Sequence, residues 1–184
     1  AMELFLLKEQ HGQGFSYPTA EAMFKAYCSD LYQFDCFHRR FLAAADKIEL
    51  LNWDILKSLR EAVKGCYEEW YADQLAANWS SIIDSPEEGA MLNSWKIAGI
   101  KNQFDFFKGF VQPILDKAAR NRAFVIISDA LRYEAAAELT VNLNRQNRVK
   151  ATIAPLLGVV PSYTALGMAS LLPHDKITYD SDTG

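Results

Sequence analysis

Apolar residues recur at steps of three and four through the first part of the chain, the spacing that gathers them on one face of an α-helix. Met23, Phe24, Tyr27, Cys28 and Leu31 form such a series directly after Pro18-Thr19. Thr19 is placed to cap the start of this helix, and Glu21 suits the positive end of its dipole. The pattern continues through Phe34, Phe37, Phe41 and Leu42. A second run of Trp53, Leu56, Leu59, Val63, Tyr67 and Trp70 predicts another helix, extending to Leu75 and Trp79. Asp84-Ser-Pro-Glu-Glu-Gly89 reads as a loop from its Pro, Gly and acidic content. A third helical stretch covers Phe104 to Leu115, with Phe107, Phe110 and Val111 along it. Pro113 should kink it or open a new first turn. Aromatic residues at this spacing read as the core of a helical bundle rather than as a cofactor box.

The pattern changes after Arg120-Asn-Arg122. Ala123-Phe-Val-Ile-Ile127 is a short continuous apolar run rich in β-branched residues, which predicts a strand buried on both faces. Ala130 to Leu143 predicts a helix with an apolar face of Leu131, Ala135, Leu139 and Leu143. Val149-Lys-Ala-Thr-Ile-Ala154 is a second strand candidate, Pro155 to Pro161 a loop, and Tyr163 to Leu172 a short helix. Lys176-Ile-Thr-Tyr179 reads as the start of a further strand. Strand, helix, strand, helix in this order predicts an α/β fold. The expected organisation is a helical bundle over residues 1–118, followed by the beginning of a parallel α/β domain over 119–184. The closing Asp180-Ser-Asp-Thr-Gly184 follows a fresh apolar run, so the domain is expected to continue; Ala1-Met2 reads as an addition ahead of the natural sequence.

With 184 residues and 50% hydrophobic composition, the chain has enough apolar surface for a core without staples. The net charge of −4 argues against a broad nucleic-acid surface, which would rest on Lys and Arg. Arg145, Arg148 and Lys150 form a local basic cluster that reads either as a nucleic-acid patch or as a solvated helix end and turn. Cys28, Cys36 and Cys66 have no metal-type spacing and fall in helical stretches, so reduced thiols and a cytoplasmic location are expected. No apolar run approaches the length of a membrane span, and no signal peptide is legible.

Two places carry candidate chemistry. In Ser128-Asp-Ala-Leu-Arg-Tyr-Glu134, Asp129 follows an apolar strand candidate and precedes a helix. Open α/β sheets place ligand groups at that point, and a carboxylate there binds metals through oxygen. A helix cap is the equal alternative for Asp129. In Pro161-Ser-Tyr-Thr-Ala-Leu-Gly-Met168, Ser162 and Thr164 stand at a helix start, where backbone N–H groups favour anions. Hydroxyl nucleophiles need a base or a metal for activation. A Ser N-cap with Thr in the first turn is the plain alternative.

Together, Phe124-Val-Ile-Ile-Ser-Asp-Ala-Leu-Arg-Tyr-Glu134 and Pro161-Ser-Tyr-Thr-Ala-Leu-Gly-Met-Ala-Ser-Leu-Leu-Pro-His174 resemble the alkaline phosphatase superfamily. Within it the resemblance is to the PglZ family of bacteriophage-exclusion (BREX) defence systems. Trp53-Asp-Ile-Leu-Lys-Ser-Leu-Arg60 and Cys66-Tyr-Glu-Glu-Trp-Tyr71 look like the region preceding the phosphatase domain there. The resemblance implies that Asp129 is a ligand of a divalent metal, zinc by analogy, and that Thr164 is the nucleophile and also touches the metal. Ser162 is the second choice as nucleophile. Ser162 and Arg132 are the implied substrate contacts, although Arg132 reads equally as a solvated residue or as a partner of Glu134 or Glu138. A sulfatase is disfavoured, because Val159 and Tyr163 stand where that chemistry uses Cys or Ser and Arg. His174 reads as a turn residue.

The implied function is that of a metal-dependent phosphatase or phosphodiesterase in phage defence. Its expected partners are a phosphate-ester substrate and other defence proteins, with no membrane. With one carboxylate in hand, the chain taken alone is expected to be inactive. The competing reading is a non-catalytic scaffold module of a defence complex. A nucleotide-binding domain is disfavoured by the lack of a GxGxxG or GxxxxGK[ST] loop.

Overall fold

The computed structural model describes residues 1–49, 56–85 and 90–178. Trp53 of the expected second helix, Pro86 to Gly89 of the expected loop, and Tyr179 of the last strand candidate lie outside these residues. In chain order the helices are α1 (Met2–Gln10), α2 (Ala20–Ala26), α3 (Tyr32–Glu49), α4 (Lys57–Cys66), α5 (Asp73–Ile83), α6 (Ala90–Ser94), α7 (Gln112–Leu115), α8 (Tyr133–Asn144) and α9 (Thr164–Leu171). Contacts divide the chain into two compact units. One comprises Ala1–Asn93 with Arg132–Ile153, the other Ser94–Leu131 with Ala154–Gly184. Both units are discontinuous in sequence.

The first unit is helical. Thr19 caps α2 as its sequence position predicts, accepting a hydrogen bond from the Ala22 amide at 3.1 Å. A π-helical turn, Tyr27–Leu31, joins α2 to α3, and a second, Tyr67–Ala72, joins α4 to α5. Each inserts extra backbone into a continuous helical path and so re-aims the side chains that follow. The core gathers Leu4, Leu7, Leu31, Phe34, Val63 and Tyr71, with Phe34 fully buried and stacked on Tyr71 at 4.4 Å. The aromatic periodicity is therefore a packing signal, as expected.

Helix α8 belongs to this helical unit. Its start corrects the expected helix from Ala130: Arg132 occupies the N-cap position. Its orientation corrects the expected apolar face, because Leu131 and Leu139 are exposed while Glu134 is fully buried. Charge pairing decides this. Arg39 on α3 donates to Glu134 at 3.0 Å and also to Glu138, and Arg40 donates to Glu138 at 2.9 Å. Arg132 donates to the buried Asp35 at 2.7 Å, and Tyr133 donates to the Cys28 carbonyl at 3.0 Å.

The second unit contains a 3₁₀ turn at Gln103–Asp105, a π-helical turn at Phe107–Val111, α7 with Pro113 in its first turn, and α9. Pro113 thus opens a new helical turn. Among the described residues there is no β-strand, and the isolated parallel bridge is Asn102 to Leu157. The α/β expectation is not met here: 123–127 and 149–154 carry no ladder. A strand exists only through a ladder of hydrogen bonds to a neighbour, and neither segment has one among the described residues. Phe124 and Ile126 are 87% and 93% exposed rather than buried. No described helix is long and apolar enough to cross a membrane.

Two stability predictions follow from the α3–α8 interface. Arg132→Ala leaves the Asp35 carboxylate without its cationic partner, so the helical unit loses about 1–3 kcal/mol in a urea titration. A stability change within experimental error would show that the Asp35–Arg132 bond contributes nothing. The second concerns acid. The hydrogen bonds from Arg39 and then Arg40 hold Glu138 below the usual carboxylate range. Burial likewise lowers His38, against the opposing pull of Glu68 and Asp35, while its ring stacks on Tyr67 at 3.8 Å. Both groups bind protons more readily when unfolded, so their stabilisation is full above the unfolded pKa and is lost as pH falls. The melting temperature should fall first below the ordinary His value of 6.5 and again below the carboxylate value of 4.5. His38→Phe should flatten the first step and Glu138→Gln the second.

Candidate functional site

Thr164 is the first residue of α9, and Tyr163 is its N-cap with extended backbone and no capping side chain. The Ser162 cap reading is therefore not what the structure shows; Ser162 is exposed, in the approach to the helix. The Thr164 hydroxyl donates to Asp129 Oδ2 at 3.4 Å, a long bond between two exposed side chains. The other carboxylate oxygen, Asp129 Oδ1, accepts from the Ala130 amide at 3.0 Å. Ala130 has a φ of 55°, so the chain turns sharply after Asp129, in a conformation that a side chain makes unfavourable. Asp129 does not cap α8, which starts at Tyr133. Its carboxylate is held by its own turn and directed to the start of α9.

Asp129, Ser162 and Thr164 line one cavity of about 450 Å³, together with Ser128, Gln103 and Gly158. That volume suits a small ligand. Three of the polar candidates from the sequence thus converge. Arg132 is not among the lining residues; its guanidinium is committed to Asp35 and approaches Glu134 at 3.7 Å.

The scaffold of the cavity comes from residues that carried no motif. The Gln103 amide donates to the Leu157 carbonyl at 2.9 Å, and the Leu157 amide to the Lys101 carbonyl at 2.8 Å. Trp95 Nε1 donates to the Gly158 carbonyl at 2.6 Å, and Asn102 Nδ2 donates to the Trp95 carbonyl at 2.9 Å. The Gln103 side chain donates through Nε2 to the Gly167 carbonyl at 2.9 Å, within α9. No composition or spacing signal marks Trp95 or Gln103, because their partners are backbone carbonyls distant in sequence.

Two oxygens 3.4 Å apart suit a shared cation, since metal–oxygen distances are about 2 Å. Asp129 and Thr164 fit a divalent metal as part of its ligand set. Among the described residues no three of His, Cys, Asp and Glu gather to complete one. His174 has Nδ1 2.7 Å from the Leu172 carbonyl. His11 pairs with Asp30 and His38 stacks on Tyr67. The cysteines Cys28, Cys36 and Cys66 are free, and burial pushes each thiol up.

Comparison with known proteins extends this geometry. Residues 106–184 match the family described as the BREX system PglZ alkaline phosphatase-like domain. The whole chain is 39% identical to the alkaline phosphatase-like protein BrxZ of Escherichia coli, covering 100% of this chain and 21% of that protein. It is also 39% identical to the alkaline phosphatase-like protein PglZ of Bacillus cereus, over 99% of this chain and 20% of that one. The chain thus spans about a fifth of the length of these curated relatives. No solved structure matches. Residues 106–184 are thus similar to the BREX system PglZ alkaline phosphatase-like domain, and the chain as a whole is similar to about a fifth of two proteins of that name or type.

Proposed function

We propose that the longer protein containing this chain is a metal-dependent phosphoric ester hydrolase of a phage-defence system, with Thr164 as nucleophile and Asp129 as a metal ligand. The observation that carries this reading is the approach of the Thr164 hydroxyl to the Asp129 carboxylate at 3.4 Å in an accessible cavity. Thr164 Oγ forms a bond to phosphorus as the bond to the leaving alcohol's oxygen breaks. The hydroxyl proton passes to solvent, and the leaving oxygen takes up a proton. Water then attacks phosphorus, the bond from phosphorus to Thr164 Oγ breaks and Oγ takes up a proton, releasing phosphate from a monoester substrate or a phosphomonoester from a diester. A bound divalent cation, zinc by analogy, supplies Lewis acidity and lowers the pKa of the Thr hydroxyl.

The chain's own residues supply the positioning. Asp129 orients the Thr164 hydroxyl by accepting its hydrogen bond. The amides opening α9 present N–H groups and the positive end of a helix dipole, which favour phosphate oxygens. Ser162 offers a further hydroxyl on the same cavity wall. Arg132 takes a structural role in this reading, because its Nη2 is directed at Asp35 and Tyr67 of the helical unit. The apolar segments 123–127 and 149–154 are read as sheet strands of the whole domain, in accord with the alternating exposure of Phe124, Val125, Ile126 and Ile127. A cytoplasmic site of action and association with other defence proteins complete the proposal.

In the complete protein supplied with divalent metal, a chromogenic phosphodiester should be hydrolysed. Thr164→Ala and Asp129→Ala should each lower kcat by at least about 1,000-fold, with melting temperature unchanged, and a chelator should abolish turnover in the wild type. Undiminished turnover in Thr164→Ala would remove the nucleophile assignment. A metal-loaded wild type that hydrolyses neither phosphomonoesters nor phosphodiesters would remove the hydrolase reading.

A further inference from the structure

We infer that Gln103, which lies ahead of the matched residues 106–184, is a positioning residue that sets how closely Thr164 approaches Asp129; its kinetic consequence rests on the nucleophile reading above. Gln103 is bound at two points on either side of the loop that leads into α9. Its backbone amide fixes Leu157 at 2.9 Å, where that loop begins. Its side-chain Nε2 fixes the Gly167 carbonyl at 2.9 Å, one turn into the helix. Thr164 lies between these points, seven residues after Leu157 and three before Gly167. With both anchors on one residue, the height and rotation of the helix start relative to the 101–103 segment are determined.

The bond to Gly167 acts on placement more than on the helix itself. The Gly167 carbonyl also accepts from Ser170 Oγ at 2.7 Å, and the Gly167 amide donates to the Tyr163 carbonyl at 3.0 Å. Those bonds remain when the glutamine donor is lost, so α9 keeps its own structure. Crowding does not enforce the position: a Cβ on Gly167 would meet Gln103 Nε2 at 3.6 Å, an ordinary contact. The directional bond is what holds the register. Misplacing a reacting group by about 1 Å costs on the order of 100-fold in rate, whereas it leaves ground-state affinity nearly unaffected.

The test uses the complete protein with Gln103→Met and Gln103→Glu. Both keep the side chain's length, and both lack the Nε2 donor. The first readout is independent of activity. A protein carrying Asp129→Cys and Thr164→Cys is oxidised, and the rate of disulfide formation between the two positions is measured, with the Thr164→Cys single variant as background. Adding Gln103→Met or Gln103→Glu should slow that rate several-fold while melting temperature and circular dichroism stay as they were. The second readout is kinetic, in the otherwise native protein: kcat should fall by about 10- to 100-fold with KM within about twofold. An unchanged crosslinking rate overturns the inference, whatever the kinetics. A rise in KM at intact kcat overturns it as well. The kinetics of Thr164→Ala decide the nucleophile reading separately, so the two assignments can fail independently.

Discussion

A carboxylate taken out of water must be paired and hydrogen-bonded, or its burial costs several kcal/mol. Asp35 is 5% exposed in the middle of an aromatic core, and the arrangement of the helical unit answers that requirement. Tyr27 and Tyr67 donate their hydroxyls to it, and Arg132 adds a charged donor. The two tyrosines begin the two π-helical turns, so the breaks in regular helix occur where side chains must be re-aimed at this one group. Burial, and then donation to Asp35, push the Tyr67 phenol up to about 12, which keeps it a donor across the physiological range. The same need for pairing extends to Glu134, fully buried and held by Arg39. That is why α8 packs with α3 through charges, although its sequence offers an apolar stripe.

The candidate site is built on a different principle. Asp129, Ser162 and Thr164 are exposed, and nothing in a core holds them. Their convergence depends on backbone geometry: a left-handed residue at Ala130, a helix that starts at Thr164, and a loop tied down at both ends by hydrogen bonds to carbonyls. In the proposed reading these groups meet a substrate and remain solvated, with their placement left to elements that are themselves fixed by directional bonds. Trp95 and Gln103 supply those bonds.

The family relation and the geometry bear on different parts of the argument. The match over 106–184 supports the class of chemistry proposed, while the 3.4 Å approach of hydroxyl to carboxylate is the geometry on which the proposed roles of Thr164 and Asp129 rest. The helical unit lies largely outside the matched residues, yet the chain is 39% identical to both relatives across its whole length. It is therefore part of what these proteins share, not an unrelated attachment.

Local order carries far into the sequence. The Thr19 cap, the aromatic core helices, a break at Pro113 and the short helix after Ser162 were all legible, because each rests on neighbours within a few residues. So were the two hydroxyls and the carboxylate of the site, as residue types at element ends. Partners far along the chain were not legible. The run Ala123–Ile127 has strand composition, but a ladder depends on a neighbour, and among the described residues it has none. Arg132 read as a phosphate contact, a solvated residue or a partner of Glu134 or Glu138, and its bond to Asp35, nearly a hundred residues earlier, was in none of these readings. Gln103 looked like nothing, because a glutamine bound to a distant carbonyl leaves no pattern. Sequence determined which segments are helical and which residues have suitable chemistry. Only the tertiary structure decided which charges are buried together and which oxygens meet, because Coulomb pairing and hydrogen bonding depend on distance in space and not on separation along the chain.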